Sequence, residues 1–393
     1  MPANRNPRHS SFRLRLTAVV VALLLPAAPL PARAIETIAK HAILIEETTG
    51  EVLFEKDADA PMAPASMSKM MTAYMVFERL KNGGLSLDDT FPVSEDAWRR
   101  GGAKSGGSTM FLEPGKRARV EDLIRGIVVQ SGNDASIVVA EGLASSEKAF
   151  AEEMTKRARE IGLKHTVFRN SNGWPDPEEV TTARDLAILA RRTIEKFPDY
   201  YRYYAEKEYT YNGIRQINRN PLLYKDMNVD GLKTGHTEAS GYGLAASAVR
   251  DGRRLILVVN GLASKKDRSR ESERLLAWGF REFNNYKLFS AGEEITKADV
   301  WLGEAAKVPL VIEKQVLITL PRSARPQMKV TVRFDNPVPA PIAKGAKIAH
   351  LVIAAPDRKP IEVPLAAGSE VKRLGLVGRL IAAFKAIIWG EQG

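Results

Sequence analysis

Apolar positions along this chain repeat with four different rhythms. Leu16 to Leu25 is a largely apolar run of ten residues, behind Arg5, Arg8, Arg13 and Arg15. From Ile35 to about Phe283 the pattern mixes two periods. His41–Ile45 and Val52–Phe54 read as short strands around Thr49-Gly50, and Leu244–Val249 and Leu255–Val259 read as strands around Asp251-Gly252. Ser66 to Lys81 has helical spacing, with Met67, Met70, Met71, Tyr74 and Met75 on the buried side and Gly83-Gly84 as its stop. Further helices are expected over 120–130, 136–143, 157–162 and 184–196. After about Tyr286 the apolar runs shorten and become β-rich: Val316–Leu320, Lys329–Phe334, Ile348–Ile353 and Ile361–Val363. Nine of the 22 prolines lie between Pro309 and Pro364, which predicts a small all-β domain. The last rhythm is helical. Leu376, Val377, Leu380, Ile381, Phe384, Ile387 and Ile388 fall within one arc of about 140° on a helical wheel.

The N-terminal 34 residues have the layout of a secretory signal: a basic start, an apolar run too short for the ~20 residues of a membrane span, and Ala32-Arg33-Ala34 as the cleavage site. A retained N-terminal anchor is the other reading. The segment carries five of the chain's arginines and no acid, so its removal lowers the net charge from +11 to +6. With that mild charge and no basic cluster interleaved with aromatics, nucleic acid is not an expected partner. A chain of 393 residues with 44% hydrophobic content has room for two cores. The absence of cysteine excludes disulfides, thiolate metal sites and a cysteine nucleophile. The terminal helix, led by Lys372 and Arg373, reads as an in-plane membrane anchor. Docking on the chain's own β domain is the competing reading.

None of the five histidines, His9, His41, His165, His236 and His350, has metal-binding spacing, so no metal and no cofactor is expected. G-x-S-x-G is absent, which removes an elbow-type serine hydrolase. Serine paired with lysine remains. S-x-x-K occurs at Ser66/Lys69, Ser145/Lys148 and Ser369/Lys372. Only Ser66 opens a strongly apolar helix, where a residue three positions on shares its face. Ser145/Lys148 lies in a polar stretch read as a solvated connection, and Ser369/Lys372 leads into the terminal helix. Ser131-Gly132-Asn133 falls between two helices, with Asp134 placed to cap the second. Lys233-Thr234-Gly235 precedes a strand, where a cation and a hydroxyl suit a carboxylate and a small residue admits substrate backbone. S-x-x-K, S-x-N and K-T-G in this order form the signature of penicillin-binding proteins and class A β-lactamases.

At these residues the chain resembles the low-molecular-mass penicillin-binding proteins, the serine-type D-alanyl-D-alanine carboxypeptidases. Pro64-Ala65-Ser66-Met67-Ser68-Lys69, Met110-Phe111-Leu112-Glu113-Pro114-Gly115, Gln130-Ser131-Gly132-Asn133-Asp134-Ala135, Asn218-Arg219-Asn220 and Asp230-Gly231-Leu232-Lys233-Thr234-Gly235 are similar to family strings. The resemblance implies an α/β (α+β) serine β-lactamase/transpeptidase-like domain over 35–286, a small β-rich domain over 287–370 and an amphipathic anchor over 371–393. It implies Ser66 as nucleophile, Lys69 as base and Ser131 as proton relay. Asn133, Lys233, Thr234, Gly235 and Arg219 would bind substrate, and the backbone N–H of His236 would join that of Ser66 in the oxyanion hole. The implied substrate is the D-Ala-D-Ala end of peptidoglycan stem peptides. β-Lactam antibiotics would be covalent inhibitors, and the implied location is the periplasmic face of the bacterial inner membrane. One departure stands out: Asn172-Gly173-Trp174 replaces the family's His-Gly-Leu. The expected loop glutamate of a β-lactamase, in an E-x-x-L-N string, is missing after Glu178-Glu179. A β-lactamase and a non-catalytic wall-bound scaffold remain the competing readings.

Overall fold

A computed structural model describes residues 35–356 and 358–389, so the expected export signal over 1–34 lies outside the described residues. Strands β1 (His41–Glu46) and β2 (Val52–Lys56) form the expected hairpin, with Gly50 at φ 73° in its turn. A 3-10 turn over Ala65–Ser68 runs into α1 (Lys69–Lys81). Ten of the thirteen residues of α1 are buried, so the helix is enclosed on nearly every side.

Next come β3 (Thr90–Pro92), α2 (Glu95–Gly101), β4 (Arg117–Arg119) and α3 (Val120–Arg125). The single helix expected over 120–130 is in fact α3 followed by a π-helical turn, Gly126–Gln130, a distortion that often marks a functional site. Helices α4 (Asn133–Ala144) and α5 (Glu147–Glu160) follow, and the helix expected at 157–162 is the end of α5. The segment Ser145–Lys148 forms the link from α4 and the first turn of α5, with Ser145, Ser146 and Lys148 exposed as expected. Ser146 caps α5 by accepting from the Ala149 N–H, and Glu147 is buried. Then come α6 (Ala183–Lys196), α7 (Pro198–Tyr201), the β5 (Glu208–Tyr211)–β6 (Ile214–Ile217) hairpin, β7 (Val229–Thr237), β8 (Gly241–Arg250), β9 (Arg253–Leu262) and α8 (Lys265–Glu282).

The central sheet is antiparallel in the order β2-β1-β9-β8-β7, so the first hairpin joins the last strands of its domain. Both faces of its middle strands are covered, which accounts for apolar runs in place of alternation. Ile43, Ile45, Ile256 and Val258 join the core formed with α1, α4 and α6. On the other side α8 comes so close that a Cβ on Gly279 would stand 2.6 Å from Leu44 and 2.9 Å from Leu255.

The all-β part holds β10 (Phe283–Phe289), β11 (Glu294–Trp301), β12 (Lys307–Ile312), β13 (Val316–Pro321), β14 (Lys329–Arg333), β15 (Val338–Pro339), β16 (Lys347–Ala354) and β17 (Ile361–Ala367). Six strands form a sheet in the order β14-β16-β17-β12-β11-β15, and β10 pairs with β13. Strand β10 runs across the boundary expected at 286. At the other end Val371 is buried and bridges Ile342, and the Leu374 N–H donates to the Leu302 carbonyl. The terminal helix α9 (Leu376–Trp389) starts only after these contacts.

Candidate active site

Three elements bring the serine–lysine motifs together. Ser66 sits in the 3-10 turn ahead of α1, and Lys69 is the first residue of that helix. The 3-10 turn tightens the backbone, so the Lys69 Nζ comes 3.3 Å from the Ser66 Oγ. Lys69 is fully buried. Its Nζ also donates to the Asn133 Oδ1 at 2.7 Å and to the Asn172 carbonyl at 2.7 Å. The two carbonyl acceptors fix the amine and leave its remaining capacity for the Ser66 hydroxyl.

Ser131 follows the π-helical turn and lies in the left-handed region, φ 67°. A non-glycine residue held there is over-determined by its surroundings, and such positions cluster at active sites. The Lys233 Nζ donates to the Ser131 Oγ at 2.9 Å and to the Thr234 carbonyl at 3.1 Å. Asp134, expected to cap its own helix, accepts from the Ala135 N–H in the first turn of α4 at 2.9 Å and also reaches outward. It accepts from the N–H of Met110 at 2.9 Å, the N–H of Leu112 at 3.1 Å and the Thr109 hydroxyl at 2.6 Å. The acid therefore pins the 109–112 segment beside the S-x-N turn.

Strand β7 carries Lys233, Thr234, Gly235 and His236 along the cleft edge, at the rim of the sheet. The smallness of Gly235 serves the protein. A Cβ there would lie 2.9 Å from the Pro64 carbonyl and 3.2 Å from the Met67 side chain, so the glycine lets β7 pack on the nucleophile turn. On that face it admits the protein's own backbone, where the sequence analysis assigned substrate backbone. The His236 ring stacks on Tyr242 at 3.9 Å between centroids. Arg219 is exposed, and its guanidinium donates to the Ser108 Oγ.

The electrostatics favour an uncharged amine beside the hydroxyl. Burial brings the Lys69 pKa down to about 7, and the positive charge of Arg219 adds to the depression, while Glu179, Asp134 and Glu147 oppose it. Sequence reasoning named Lys233 as the second cation near Lys69; the repulsion between the two amines is mutual, and Arg219 is a further cation that depresses Lys69. Lys233 is itself lowered well below its usual range by burial, then by Lys69, Arg219 and Arg268.

Sequence reasoning missed the supports. Ser68 donates to the Glu179 carboxylate at 2.6 Å, which ties the nucleophile turn to the 170–179 loop. Burial raises Glu179 to about 7. Glu147 accepts from the Ser171 hydroxyl at 2.6 Å, the Ser171 N–H at 3.1 Å and the Asn172 side chain at 3.3 Å. That acid therefore fixes the carbonyl on which Lys69 rests. No local signature announces either acid, because each partner is distant in sequence. The Asn172-Gly173-Trp174 departure sits here: the Asn172 side chain accepts from the Trp174 N–H at 2.8 Å, and its main chain holds Lys69.

Ser66 opens onto a cleft of about 690 Å³ lined by Asn133, Asn172, Trp174, His236 and Thr237. A larger cavity of about 1030 Å³ lies alongside and shares Ser105, Asn172, Trp174 and Pro175, but Ser66 does not line it. The motif side chains thus converge on one cleft: a hydroxyl beside a near-neutral amine, a second hydroxyl on a second amine, and an exposed guanidinium. Such a set suits nucleophilic acyl transfer to a substrate that carries a carboxylate.

Comparison with known proteins agrees. Residues 28–264 match the family model described as D-alanyl-D-alanine carboxypeptidase, and residues 283–373 match the penicillin-binding protein 5 C-terminal domain. The chain is 38% identical over 351 residues to the D-alanyl-D-alanine carboxypeptidase DacA of Escherichia coli K12, covering 88% of this chain and 87% of the relative. It is 34% identical over 345 residues to DacF of Bacillus subtilis, covering 86% and 87%. The crystal structure of penicillin-binding protein 5 from Haemophilus influenzae superposes with a TM-score of 0.77 at 38% identity, over 86% of this chain and 99% of that one. The fold is therefore the α+β penicillin-binding protein fold with a C-terminal all-β domain, and the chain belongs to the D-alanyl-D-alanine carboxypeptidase family.

Proposed function

We propose that this protein is a serine D-alanyl-D-alanine carboxypeptidase that removes the terminal D-Ala from peptidoglycan stem peptides through an ester on Ser66. The observation that carries the reading is the 3.3 Å contact between the Ser66 Oγ and a fully buried Lys69 amine with a pKa of about 7. The neutral amine takes the hydroxyl proton as Oγ attacks the carbonyl between the two D-Ala residues. The backbone N–H groups of Ser66 and His236 meet the developing oxyanion. As the C–N bond breaks, the departing amine takes a proton from the Ser131 hydroxyl, which Lys233 orients at 2.9 Å, and Ser131 regains its proton from Lys69, which returns to the neutral amine. Water then attacks the ester, and Lys69 accepts the water proton and passes it to the Ser66 oxygen as that oxygen leaves. The products are D-Ala and the shortened peptide. Asn133 holds the substrate amide, and Lys233, Thr234 and Arg219 bind the terminal carboxylate. β-Lactams follow the same first step and stop at the ester. A penicillin-binding protein of Listeria monocytogenes, 28% identical, has been crystallised with ampicillin bound.

The reading extends to location. Leader removal after residue 34 and export place the enzyme at the wall, and α9 holds it on the membrane face. Leu376, Val377 and Leu380 on that helix are more than 70% exposed. No helix among the described residues is long and apolar enough to cross a membrane.

Intact mass after penicillin treatment, with peptide mapping, tests the chemistry. One adduct on Ser66 is expected. The Ser66→Ala variant should stay folded, take no label and release no D-Ala, and an undiminished label in that variant would remove Ser66 from the nucleophile role. Rapid steady-state penicillin turnover would make the protein a β-lactamase instead.

A further inference from the structure

Far from the cleft, at the opposite end of β8, a pocket of about 380 Å³ opens between the first domain and the all-β part. The ten-residue strand sets the two sites roughly 30 Å apart. Arg250, Arg253 and Arg322 all line this pocket. Among the described residues none of the three has a carboxylate within ion-pairing distance. The neighbouring Arg254 and Arg281 do pair, with Asp230 and Glu282, each at 2.7 Å.

Arg253 is the unusual member. It is only 8% exposed; its Nη2 donates to the Phe280 carbonyl at 3.0 Å, and its buried Nη1 meets no acceptor. The Arg253 and Arg250 guanidinium groups lie 5.2 and 4.9 Å from the Phe280 ring centre. Burial depresses the Arg253 guanidinium. Glu46 opposes this, Arg322 adds to it, and Asp251 and Arg250 act in opposite senses. The Glu46 carboxylate is already taken by Thr49 and Asn285. Arg322 is fixed through its Nε, which donates to the Arg281 carbonyl at 3.0 Å. A buried guanidinium with a nitrogen that meets no acceptor is costly, and an anion completes it.

We propose that this pocket binds the phosphoryl group of a phosphorylated polyol. Three arginine forks suit a phosphoryl group, with its several acceptor oxygens, better than a single carboxylate. The pocket falls in the size range of ligand sites, and Asn284 and Thr48 on its walls suit hydroxyl groups. Two sources share this chemistry: a soluble glycerol phosphate and the headgroup of an anionic phospholipid. Because the walls come from both domains, occupancy ties them together and raises the unfolding temperature.

The test uses the full chain in wild-type form and as the Arg250→Gln/Arg322→Gln double variant, whose changes lie on exposed side chains, with Arg253→Met as a second probe. Glycerol phosphate is titrated calorimetrically at constant ionic strength, and retention on phosphatidylglycerol vesicles is compared with retention on phosphatidylcholine. Binding of glycerol phosphate that weakens at least about tenfold in both variants, with D-Ala release unchanged, supports a soluble ligand. A variant-sensitive loss confined to phosphatidylglycerol vesicles supports the headgroup. Equal binding by wild type and both variants, or no binding of either probe, overturns the proposal.

Discussion

In the proposed mechanism Lys69 must be neutral before it can accept the Ser66 proton, so its pKa of about 7 should set the acid limb of kcat/KM. The rate should climb as pH rises through neutrality and level off above it. Glu179 acts on this limb from behind the nucleophile turn, since its negative charge raises Lys69. Glu179→Gln keeps an acceptor for the Ser68 hydroxyl and removes the charge, so the limb should move to lower pH. The same variant reads out in stability. Burial raises the Glu179 carboxyl from 4.5 to about 7, so the folded chain holds that proton more tightly than the unfolded chain does. The stability it confers is fully present below pH 4.5 and is lost as pH rises through 7. Glu179→Gln has no such loss and should exceed wild type by roughly 2–3 kcal/mol at pH 8, with little difference near pH 4. Urea melts at the two pH values check this, and a difference independent of pH would remove the buried carboxylate as its source. Ser66, Lys69, Ser131 and Lys233 could be picked out in the sequence because each motif is contiguous and its spacing is itself the geometry. Glu179 and Glu147 could not, since each acts on a partner brought from far along the chain.

At the scale of elements, the 170–174 loop is the part whose placement the chemistry depends on. Gly173 holds φ at 77°, and a Cβ there would stand 1.8 Å from the Ala65 carbonyl and 3.0 Å from the Ser66 amide. Gly173→Ala must push the loop off the nucleophile turn, and with it the Asn172 carbonyl that supports Lys69. The expected result is penicillin acylation slowed by about tenfold or more, with roughly 1–3 kcal/mol lost in thermal unfolding. Wild-type acylation in this variant would mean that the turn does not need the loop. Element type was legible wherever a run was long and apolar, as in α1, β8 and β9. It was obscured where packing overrode local pattern. The π-helical turn at Gly126–Gln130 continues the apolar spacing of α3, so hydropathy alone shows one helix. Strands β10 and β11 were not separable from loop, because with a two-stranded partner or an exposed face they carry Asn, Lys and Asp in place of an apolar run.

Across the whole molecule, a polar network fixes the all-β part on the first domain. The Thr49 and Thr319 hydroxyls meet at 2.7 Å, Thr319 donates to Asn285 at 2.8 Å, and Asn285 donates to Glu46 at 2.8 Å. Arg358 joins Glu51 to the Thr319 carbonyl. Glu46 and Thr319 are buried, so each broken link leaves an unsatisfied group behind. This junction fixes the β part, from which the terminal helix leaves, relative to the cleft, and the proposed attachment at a membrane face makes use of that. The helix begins only after Val371 and Leu374 have bonded back to the β domain at Ile342 and Leu302. Cutting at the expected boundary after residue 370 would remove those contacts and confuse lost anchoring with a damaged domain. Cutting after Leu374 removes α9 alone, and with it the exposed Leu376, Val377, Leu380 and Ile381. Burial of four such side chains in a bilayer surface contributes on the order of several kcal/mol, enough to decide partitioning. The chain ending at Leu374 should therefore leave the membrane fraction for the soluble one with its D-Ala release and unfolding temperature unchanged. If that shortened chain still sediments with membranes, the attachment lies elsewhere on the surface, and α9 is a docked helix rather than an anchor.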